Sequence, residues 1–480
     1  MKRIFIPVMT VAVLAALLLG CVPTAAPTAP TAPTAPTAPA APVTPAAPVT
    51  PAAPAAPAAP AVPGAPPGVF VDPETGWWEG RVGALPEGAP EFGVGFLADL
   101  SGTLGFWNAP RLVGATAAYD WICDNEYGIA GRKPVIHWYD HKSNADEAKA
   151  GYAKLRTKYI INHSCGTGEQ QLLKPNYDPD KFLTLTCSNS PNVIYPVGYA
   201  FGISPYWPNQ YAAFIDYALA HNLGTKIAYI TYPSGYGRAF ITDETAAYNE
   251  AHGITMVADI ATPWAPPDPD SILAAAKAAG AELVFTNAMY ATMGPLLKAN
   301  YDGGYNLQWC VNSLSLDEAT IALAGKTEDG KWRADGLLGI SNYVNVADLT
   351  SPGSPFYGSK GMTLLNDYWD THFVKPADRC GSYIQAWLEA FIYKEAIEET
   401  LVRVGSWDLV TSREIRLTME GEDWWGRDVY GMIVTNYSPT SRDPKMVRIM
   451  QVQNGKWKSI SDLFEAKNLV PEAWQKPWVD

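Results

Sequence analysis

The feature that most constrains the fold of this chain is a repeated alternation of short apolar runs and amphipathic stretches, which begins at Glu91. Short runs that are apolar throughout are typical of strands buried on both faces of a parallel sheet. The predicted strands are Phe92–Ala98, Val135–Tyr139, Tyr159–Asn162, Phe182–Thr186, Lys226–Thr231, Ile254–Asp259, Leu283–Thr286, Gln308–Val311, Leu337–Tyr343 and the C-terminal Val447–Val452. Strand–helix repeats in this order predict an α/β fold whose sheets are covered by helices on both faces.

Two helices can be predicted in some detail. The stretch Asn108–Tyr127 carries apolar residues at helical spacing, with Asn108 as the expected N-cap and Pro110 in the first turn. A second apolar stripe predicts a helix from about Tyr383 to Val402. Together with the strands, they describe a doubly wound architecture.

The segment Gly202–Gln210, rich in proline, tyrosine and tryptophan, divides the repeats into two sets. Each set predicts one doubly wound lobe. In such sheets ligands bind outside the carboxyl ends of the strands. The loops that this rule selects are Asp99–Trp107, His163–Glu169, Cys187–Asn192, Tyr232–Arg238, Asn287–Thr292 and Asn312–Leu316.

Residues 22–68 form a tract of proline, alanine and threonine. Sixteen of the 41 prolines of the chain fall in it, and it contains no charged and no aromatic residue. Such a composition cannot bury a core, and its regular prolines favour an extended polyproline II conformation. We therefore expect this tract to be a spacer ahead of the folded body.

The first 21 residues combine a basic start, the apolar run Ile4–Gly20 and Cys21. This pattern indicates a secretory signal, with an uncleaved membrane anchor as the alternative. The ending Leu18–Cys21 resembles the lipobox of bacterial lipoproteins, which implies removal of residues 1–20 and lipidation of Cys21. The prediction is an extracytoplasmic protein, lipid-anchored to the outer face of the bacterial cytoplasmic membrane.

Charge and cysteine content limit the partners. A net charge of −13 argues against nucleic acid, because binding phosphates requires clustered Lys and Arg. With Cys21 lipidated, five cysteines remain, which allows two disulfides and one free thiol. The pairing is left open among Cys123, Cys165, Cys187, Cys310 and Cys380, although Cys165 and Cys187 follow successive predicted strands and could form a bridge. No zinc-site spacing occurs, and neither a metal nor a cofactor is predicted.

Several short motifs appear in an order that resembles a known family. They are Val94–Gly102 with Gly131–Lys133, Asn144–Ala148, Gly166–Gly168, Gly235–Arg238 and Tyr290–Leu297. Together they resemble type I periplasmic binding proteins, the Leu/Ile/Val, amino-acid and amide receptors of ABC importers, over about Phe92 to Trp457. The resemblance implies two lobes that close on a small-molecule ligand, and ABC permease subunits as partners.

The resemblance also implies a division of the chain. Residues 1–20 are the expected signal peptide, 21–68 the lipidated cysteine and linker, and 69–91 a lead-in. Residues 92–205 with 338–443 form lobe 1, 206–337 with 444–465 form lobe 2, and 466–480 form a C-terminal tail. The three hinge crossings are expected near Ser204–Trp207, Gly336–Asn342 and Ser441–Met446.

The predicted ligand-binding residues lie in the loops selected above. Gly166 and Thr167 offer backbone amides and a hydroxyl beside a helix start, which suits a carboxylate or carbonyl group of a ligand. The alternative is a tight turn that requires glycine and binds nothing. Ser188 and Asn189 could donate further, or form an ordinary polar loop. The aromatic residues would contact the ligand or pack in the core. The full set is Ser101, Trp107, Gly166, Thr167, Ser188, Asn189, Tyr236, Met289, Tyr290 and Asn312.

One departure from the family concerns the ligand. Amino-acid receptors of this family hold the ligand ammonium with a tyrosine and an acid of lobe 2. Here those positions fall on Met289 and on Asn312 or Ser313, and the nearest acids are Asp317 and Glu318. A buried ammonium without a carboxylate partner is costly. The prediction is therefore an amide, a carboxylate or an aromatic compound rather than a plain branched-chain amino acid.

Three other functions compete with import. An enzyme would need a nucleophile, and the run His163, Ser164 and Cys165 is poor evidence for one, since adjacent residues of a strand point to opposite faces. No Gly-x-Ser-x-Gly or His-Glu-x-x-His motif occurs, and the chain is predicted not to be an enzyme. A sensory lipoprotein that reports to a membrane receptor would have the same cleft. An envelope interaction protein with a degenerate cleft would bind no small molecule.

Overall fold

The structure is a computed structural model, and it describes residues 83–372, 374–375 and 378–479. The predicted signal peptide, Cys21, the linker and residues 69–82 of the lead-in lie outside the described residues, as does Asp480. The described residues belong to one compact unit. Within these ranges, no helix combines the length and the apolar character that a bilayer crossing requires.

The first sheet organises lobe 1. Its elements are β1 (Glu91–Ala98), α1 (Gly105–Asn125), β2 (Lys133–Asp140), α2 (Ala145–Arg156), β3 (Ile161–Ser164), α3 (Thr167–Tyr177), β4 (Leu183–Thr186) and β5 (Ala200–Gly202). The five strands are parallel, in the order β2-β1-β3-β4-β5. Strands β3 and β4 are buried along their whole length, although β3 reads Ile-Asn-His-Ser and β4 reads Leu-Thr-Leu-Thr, because they lie in the middle of the sheet between other strands.

The chain then enters lobe 2. Its elements are α4 (Trp207–Ala220), β6 (Lys226–Thr231), α5 (Asp243–Ala251), β7 (Thr255–Ala261), α6 (Pro269–Ala278), β8 (Leu283–Thr286), α7 (Tyr290–Asp302), β9 (Gln308–Val311), α8 (Glu318–Ala324) and β10 (Leu338–Ser341). Strands β6 to β10 are paired in parallel. Their carboxyl ends therefore meet at one edge of the sheet, as those of the first sheet do.

After β10 the chain returns to lobe 1 and then crosses once more. The returning elements are α9 (Lys360–Thr371), α10 (Gly381–Val404), α11 (Ser412–Met419), β11 (Trp425–Val429) and β12 (Ile433–Asn436), and the last strands are β13 (Met446–Gln453), β14 (Lys456–Ser459) and β15 (Phe464–Glu465). The second sheet has the order β14-β13-β10-β9-β8-β6-β7, with β15 beside β13. The predicted two-lobed α/β fold with three crossings is confirmed, but β13 to β15 are antiparallel additions to an otherwise parallel sheet.

Helix α10 is the central helix of lobe 1 and packs directly on α1. A Cβ at Gly114 of α1 would collide with the backbone carbonyl of Tyr383, so glycine sets the closeness of this contact. The two helices are also joined by a buried ion pair between Arg111 and Glu389, at 2.7 Å. The start of α1 is thereby held firmly against the body of the lobe.

The prediction that Asn108 caps α1 is wrong. The helix begins at Gly105, and Asn108 lies inside it and is fully buried. The loop ahead of the helix is instead ordered by Asp99, whose carboxylate accepts hydrogen bonds from the amides of Gly102 and Leu104. The buried aspartate at the end of β1 thus orders the loop before the helix, whose N-cap residue, Leu104, makes no side-chain capping hydrogen bond.

The C-terminal residues after β15 turn back toward lobe 1. The amide of Leu469 donates to Asn209 Oδ1 at 2.7 Å, and the amide of Val197 donates to the carbonyl of Trp474 at 3.1 Å. Val470 packs among Val193, Tyr195 and other buried residues of the loop before β5. The tail thus contacts α4 of lobe 2 as well as the loop before β5 of lobe 1, while the lobe boundaries given above stay a prediction.

Candidate functional site

A cavity of about 500 Å³ lies where the carboxyl ends of the strands of both sheets face each other. Its lining is contributed by both lobes and consists of Thr103, Leu104, Trp107, Ser143, Cys165, Gly166, Thr167, Gly168, Glu169, Cys187, Ser188, Tyr232, Pro233, Ser234, Gly235, Tyr236, Thr262, Pro263, Trp264, Met289 and Leu314. Volumes of this order suit a small organic ligand. Most of the wall is apolar or aromatic, with hydroxyl groups distributed along it.

Two carboxylates at the ends of β1 and β2 shape the first part of the wall. Asp99 holds the loop before α1 and also accepts a hydrogen bond from Ser143 Oγ. Asp140 accepts from the amide of Leu100 at 2.9 Å and from Ser101 Oγ at 2.5 Å. Burial would raise the pKa of Asp140, but these hydrogen bonds outweigh it and lower the pKa. The pair fixes the positions of Thr103, Leu104 and Ser143 beside the cavity.

The loops after β3 and β4 are joined covalently in the cavity wall. Cys165 and Cys187 form a disulfide with their Cα atoms 5.3 Å apart, while Cys123, Cys310 and Cys380 are free. Next to the bridge, the hydroxyls of Thr167 and Ser188 are hydrogen-bonded at 2.9 Å. The two adjacent loops therefore present one rigid polar surface to the cavity.

The start of α3 carries the one formal charge among the described residues of the lining. Gly166, with φ of +128°, is the N-cap, and a Cβ there would collide with Glu169 Oε2. The Glu169 carboxylate thus lies over the helix start, where its negative charge is favoured by the helix dipole. The ionisable side chain in contact with it is the buried His141, whose Nδ1 is 3.9 Å from Glu169 Oε1.

Aromatic residues dominate the wall on lobe 2. The rings of Tyr232 and Trp264 stack with centroids 5.3 Å apart. Tyr232 accepts a hydrogen bond from the amide of Met289 at 3.0 Å and donates to Thr292 Oγ1 at 2.8 Å, and Thr292 in turn donates to the carbonyl of Trp264. The loops after β6, β7 and β8 are tied together through this one hydroxyl, so the aromatic surface is preorganised.

Tyr236 is supported from behind by the loop after β9. Its ring meets that of Trp207 edge-on at 5.1 Å, and its hydroxyl lies 3.3 Å from Ser315 Oγ. Ser315 Oγ donates to Asn312 Oδ1 at 2.9 Å. Burial raises the pKa of Tyr236, which keeps the phenol neutral. Asn312 therefore acts through Ser315 on a residue of the wall and does not itself line the cavity.

The two lobes touch on both sides of the cavity. Phe106 of α1 lies against Trp264 and Tyr290 of lobe 2, with ring centroids 5.2 Å and 5.3 Å apart. At another point, a Cβ on Gly235 would collide with Gln171 Oε1 of α3. The structure therefore has the lobes closed against each other around the cavity.

Six of the ten predicted ligand-binding residues line the cavity, and four lie elsewhere. Those in the lining are Trp107, Gly166, Thr167, Ser188, Tyr236 and Met289. Asn312 stands behind Tyr236, and Tyr290 packs on Phe106. Ser101 bonds to Asp140, and Asn189 is buried, where it donates to the carbonyl of Cys187. Their roles in binding stay predictions.

The residues that the sequence-based prediction missed fall into two groups. Tyr232, Ser234 and Glu169 lie in loops that were selected but not read as binding residues. Ser143 and Trp264 follow β2 and β7, the outer strands of their sheets, and their loops were not selected. The same rule of carboxyl strand ends, applied to every predicted strand, would have found them.

His163 and Cys165, which Ser164 separates, do not form a catalytic pair. His163 is buried, with Nδ1 2.7 Å from Glu389 and Nε2 2.8 Å from the hydroxyl of Tyr119, and Cys165 is bonded to Cys187. Within the described ranges, no three His, Cys, Asp or Glu side chains come together as a metal site.

Comparisons with known proteins agree with this architecture. A sequence profile described as periplasmic binding protein matches residues 91–456. A comparison with curated protein sequences returned no match. Among solved structures, a branched-chain amino acid ABC transporter protein from Thermus thermophilus with bound valine has a TM-score of 0.67 and 18% identity, covering 79% of this chain and 97% of its own.

Two further solved structures resemble the fold. A fatty acid ABC transporter substrate-binding protein from Thermomonospora curvata has a TM-score of 0.62 and 14% identity, covering 81% of this chain and 95% of its own. A solute-binding protein from R. palustris in complex with 4-hydroxybenzoate has a TM-score of 0.62 and 19% identity, covering 79% and 98%. The profile match spans most of the chain, and its members are extracytoplasmic binding proteins of small molecules rather than enzymes. The chain therefore belongs to the type I periplasmic binding proteins.

Proposed function

We propose that this protein is the substrate-binding lipoprotein of an ABC importer and captures a small solute by closure of its two lobes. The observation that carries the proposal is the cavity of about 500 Å³, walled by the strand ends of both lobes. A ligand bound there would join the two walls. Closure around a ligand is a known way in which two-lobed proteins convert binding into a recognisable shape.

The composition of the wall supports a solute with an apolar or aromatic body. Trp107, Tyr232, Tyr236 and Trp264 supply large rings, and Met289 adds a flexible apolar side chain. The hydroxyls of Thr103, Ser143 and Ser234 offer hydrogen bonds at the edges. Such a pocket selects by shape and by a few polar contacts. Among the described residues of the lining, lobe 2 contributes no carboxylate, and the one acid, Glu169, comes from lobe 1.

The proposal is tested by identifying the ligand. The full chain, purified in mild detergent, is analysed by native mass spectrometry for a bound small molecule, and the affinity of that molecule is measured by calorimetry. Substitution of Tyr232 or Trp264 by alanine should weaken binding, because each removes part of the wall. A protein that carries no small molecule and binds none from a broad metabolite panel would contradict the proposal.

Import and sensing are separated by a second experiment. Uptake of the labelled ligand is compared in cells with and without the protein. Loss of uptake supports the importer, whereas unchanged uptake together with loss of a transcriptional or behavioural response to the ligand would identify a sensory lipoprotein.

A further inference from the structure

The charge of the cavity wall indicates the charge of the ligand, an inference that rests on the proposed function. Among the described residues of the lining, Glu169 alone carries a formal charge, and no Lys, Arg or His stands among them. The electrostatic character of the cavity is therefore set by one carboxylate within an aromatic surface.

Glu169 also occupies the position where an anionic ligand would bind most easily. The start of a helix attracts anions through its free amides and its dipole. At α3 the Glu169 carboxylate already lies over Gly166, the N-cap residue. A ligand carboxylate placed there would meet a like charge with no cationic side chain in the wall to compensate it, which is costly in a largely apolar site.

A cationic ligand would find the opposite situation. The ion-pair contact of Glu169 among the described residues is His141, and its 3.9 Å separation is too long for a hydrogen bond. The carboxylate can therefore accept hydrogen bonds from a ligand. Around it the rings of Trp107, Tyr232, Tyr236 and Trp264 line the same cavity, and aromatic faces attract cations.

We propose that the ligand is a small organic amine with an apolar or aromatic body, bound as the ammonium, and that Glu169 is its counter-ion and excludes carboxylates. A glycine-containing helix start usually binds an anionic ligand. Here the Glu169 carboxylate of the protein already occupies that position, so the site is expected to bind a cation instead. The solute would differ from an amino acid in lacking the carboxylate.

The test uses matched probes that differ only in charge. Benzylamine, phenethylamine and cyclohexylmethylamine are each compared with the amide and the carboxylate of the same body, and binding to the full chain is followed by tryptophan fluorescence and calorimetry. We expect the amine of at least one series to bind at least about tenfold more tightly than its carboxylate, the scale of a charge-assisted hydrogen bond. The variant Glu169→Gln should lose this preference. The matched control Glu328→Gln, an exposed glutamate outside the cavity, should keep it.

The outcomes separate this inference from the proposed function. Carboxylates that bind as tightly as their matched amines, or a panel in which no amine binds, would overturn the inference. If a carboxylate or an amide then binds in the cavity, the proposed solute-binding function stands and only the inference of an amine ligand fails. If no compound of any class binds, the result contradicts both the inference and the proposed function. If Glu169→Gln does not fold, as judged by thermal unfolding, the selectivity of the unmodified protein decides by itself.

Discussion

Replacing Phe106 by alanine should weaken ligand binding without a matching loss of folding stability. Phe106 belongs to α1 of lobe 1, but its ring contacts Trp264 and Tyr290 of lobe 2 at centroid distances of 5.2 Å and 5.3 Å. These contacts exist only while the lobes are closed. The substitution therefore destabilises the closed form relative to the open form, and a ligand that requires closure must offset the difference.

The size of the effect follows from the two ring contacts. An aromatic pair contributes about 0.5–1.5 kcal/mol beyond the area that it buries, so losing both contacts costs about 1–3 kcal/mol. At about 1.4 kcal/mol per tenfold, the Kd should rise by a factor of roughly 5 to 150. The lower end applies if Trp264 and Tyr290 repack against each other.

The assay compares Phe106→Ala with a matched variant inside one lobe. Phe92 also meets a tryptophan, Trp407, at 5.4 Å, but both of these residues belong to lobe 1. Calorimetry gives the Kd of each variant, small-angle scattering gives the ligand-induced compaction, and urea unfolding gives stability. We expect Phe106→Ala to change binding and compaction, and Phe92→Ala to change mainly stability. A Kd for Phe106→Ala within twofold of the original, or an equal rise for Phe92→Ala, would refute the argument that closure depends on this contact.

Three more outcomes are expected. Replacing Cys165 and Cys187 by serine should lower the free energy of unfolding by up to about 3 kcal/mol, because the disulfide closes a loop between two residues that are 22 positions apart in the chain. In urea titrations, reductant should destabilise the original protein but leave this variant unaffected. Burial lowers the pKa of His163 in the folded state, so below about pH 6.5 the unfolded chain binds the proton more readily and stability falls as the pH falls from 7 to 5; His163→Gln should show a shallower decline, and an equal decline in both would count against this. Cys21→Ser should abolish labelling by radioactive palmitate and release the protein from the membrane fraction, and continued labelling would show that the acyl chain is elsewhere.

The strands were the most predictable part of the fold. Every predicted strand corresponds to a strand of the structure, with ends that differ by about two residues, because most of the strands lie on or beside a short apolar run of strand length. The short β5 and the hairpin of β11 and β12 were missed. Strand β5 is three residues long, too short for any periodicity to show, and β11 reads Trp-Gly-Arg-Asp-Val, with little apolar character. Their strand geometry is imposed by neighbouring strands rather than by their own residues.

The candidate site divides in the same way. The loops of Gly166, Thr167 and Ser188 could be located because the carboxyl ends of parallel strands mark a binding edge. The position of Asn312 behind Tyr236 could not be predicted from the sequence, since it depends on which way the turn after β9 folds and on the hydrogen bond between Ser315 and Asn312. Asn108 was misplaced for a similar reason: it was expected to begin the helix, whereas the helix begins at Gly105, after a loop that the distant carboxylate of Asp99 orders.

By itself, the sequence determined the two-lobed α/β fold and the edge of each sheet at which binding is expected, because apolar periodicity and strand–helix order are properties of neighbouring residues, and its short motifs carried the resemblance to the family. Only the tertiary structure decided the chemistry of the cavity. Glu169 and Trp264 come from different lobes, and although the strand-end rule selects loops, the sequence does not show which side chains of those loops line the same cavity. The electrostatics of a cleft depend on which side chains meet across it, and that is set by the packing of the two lobes.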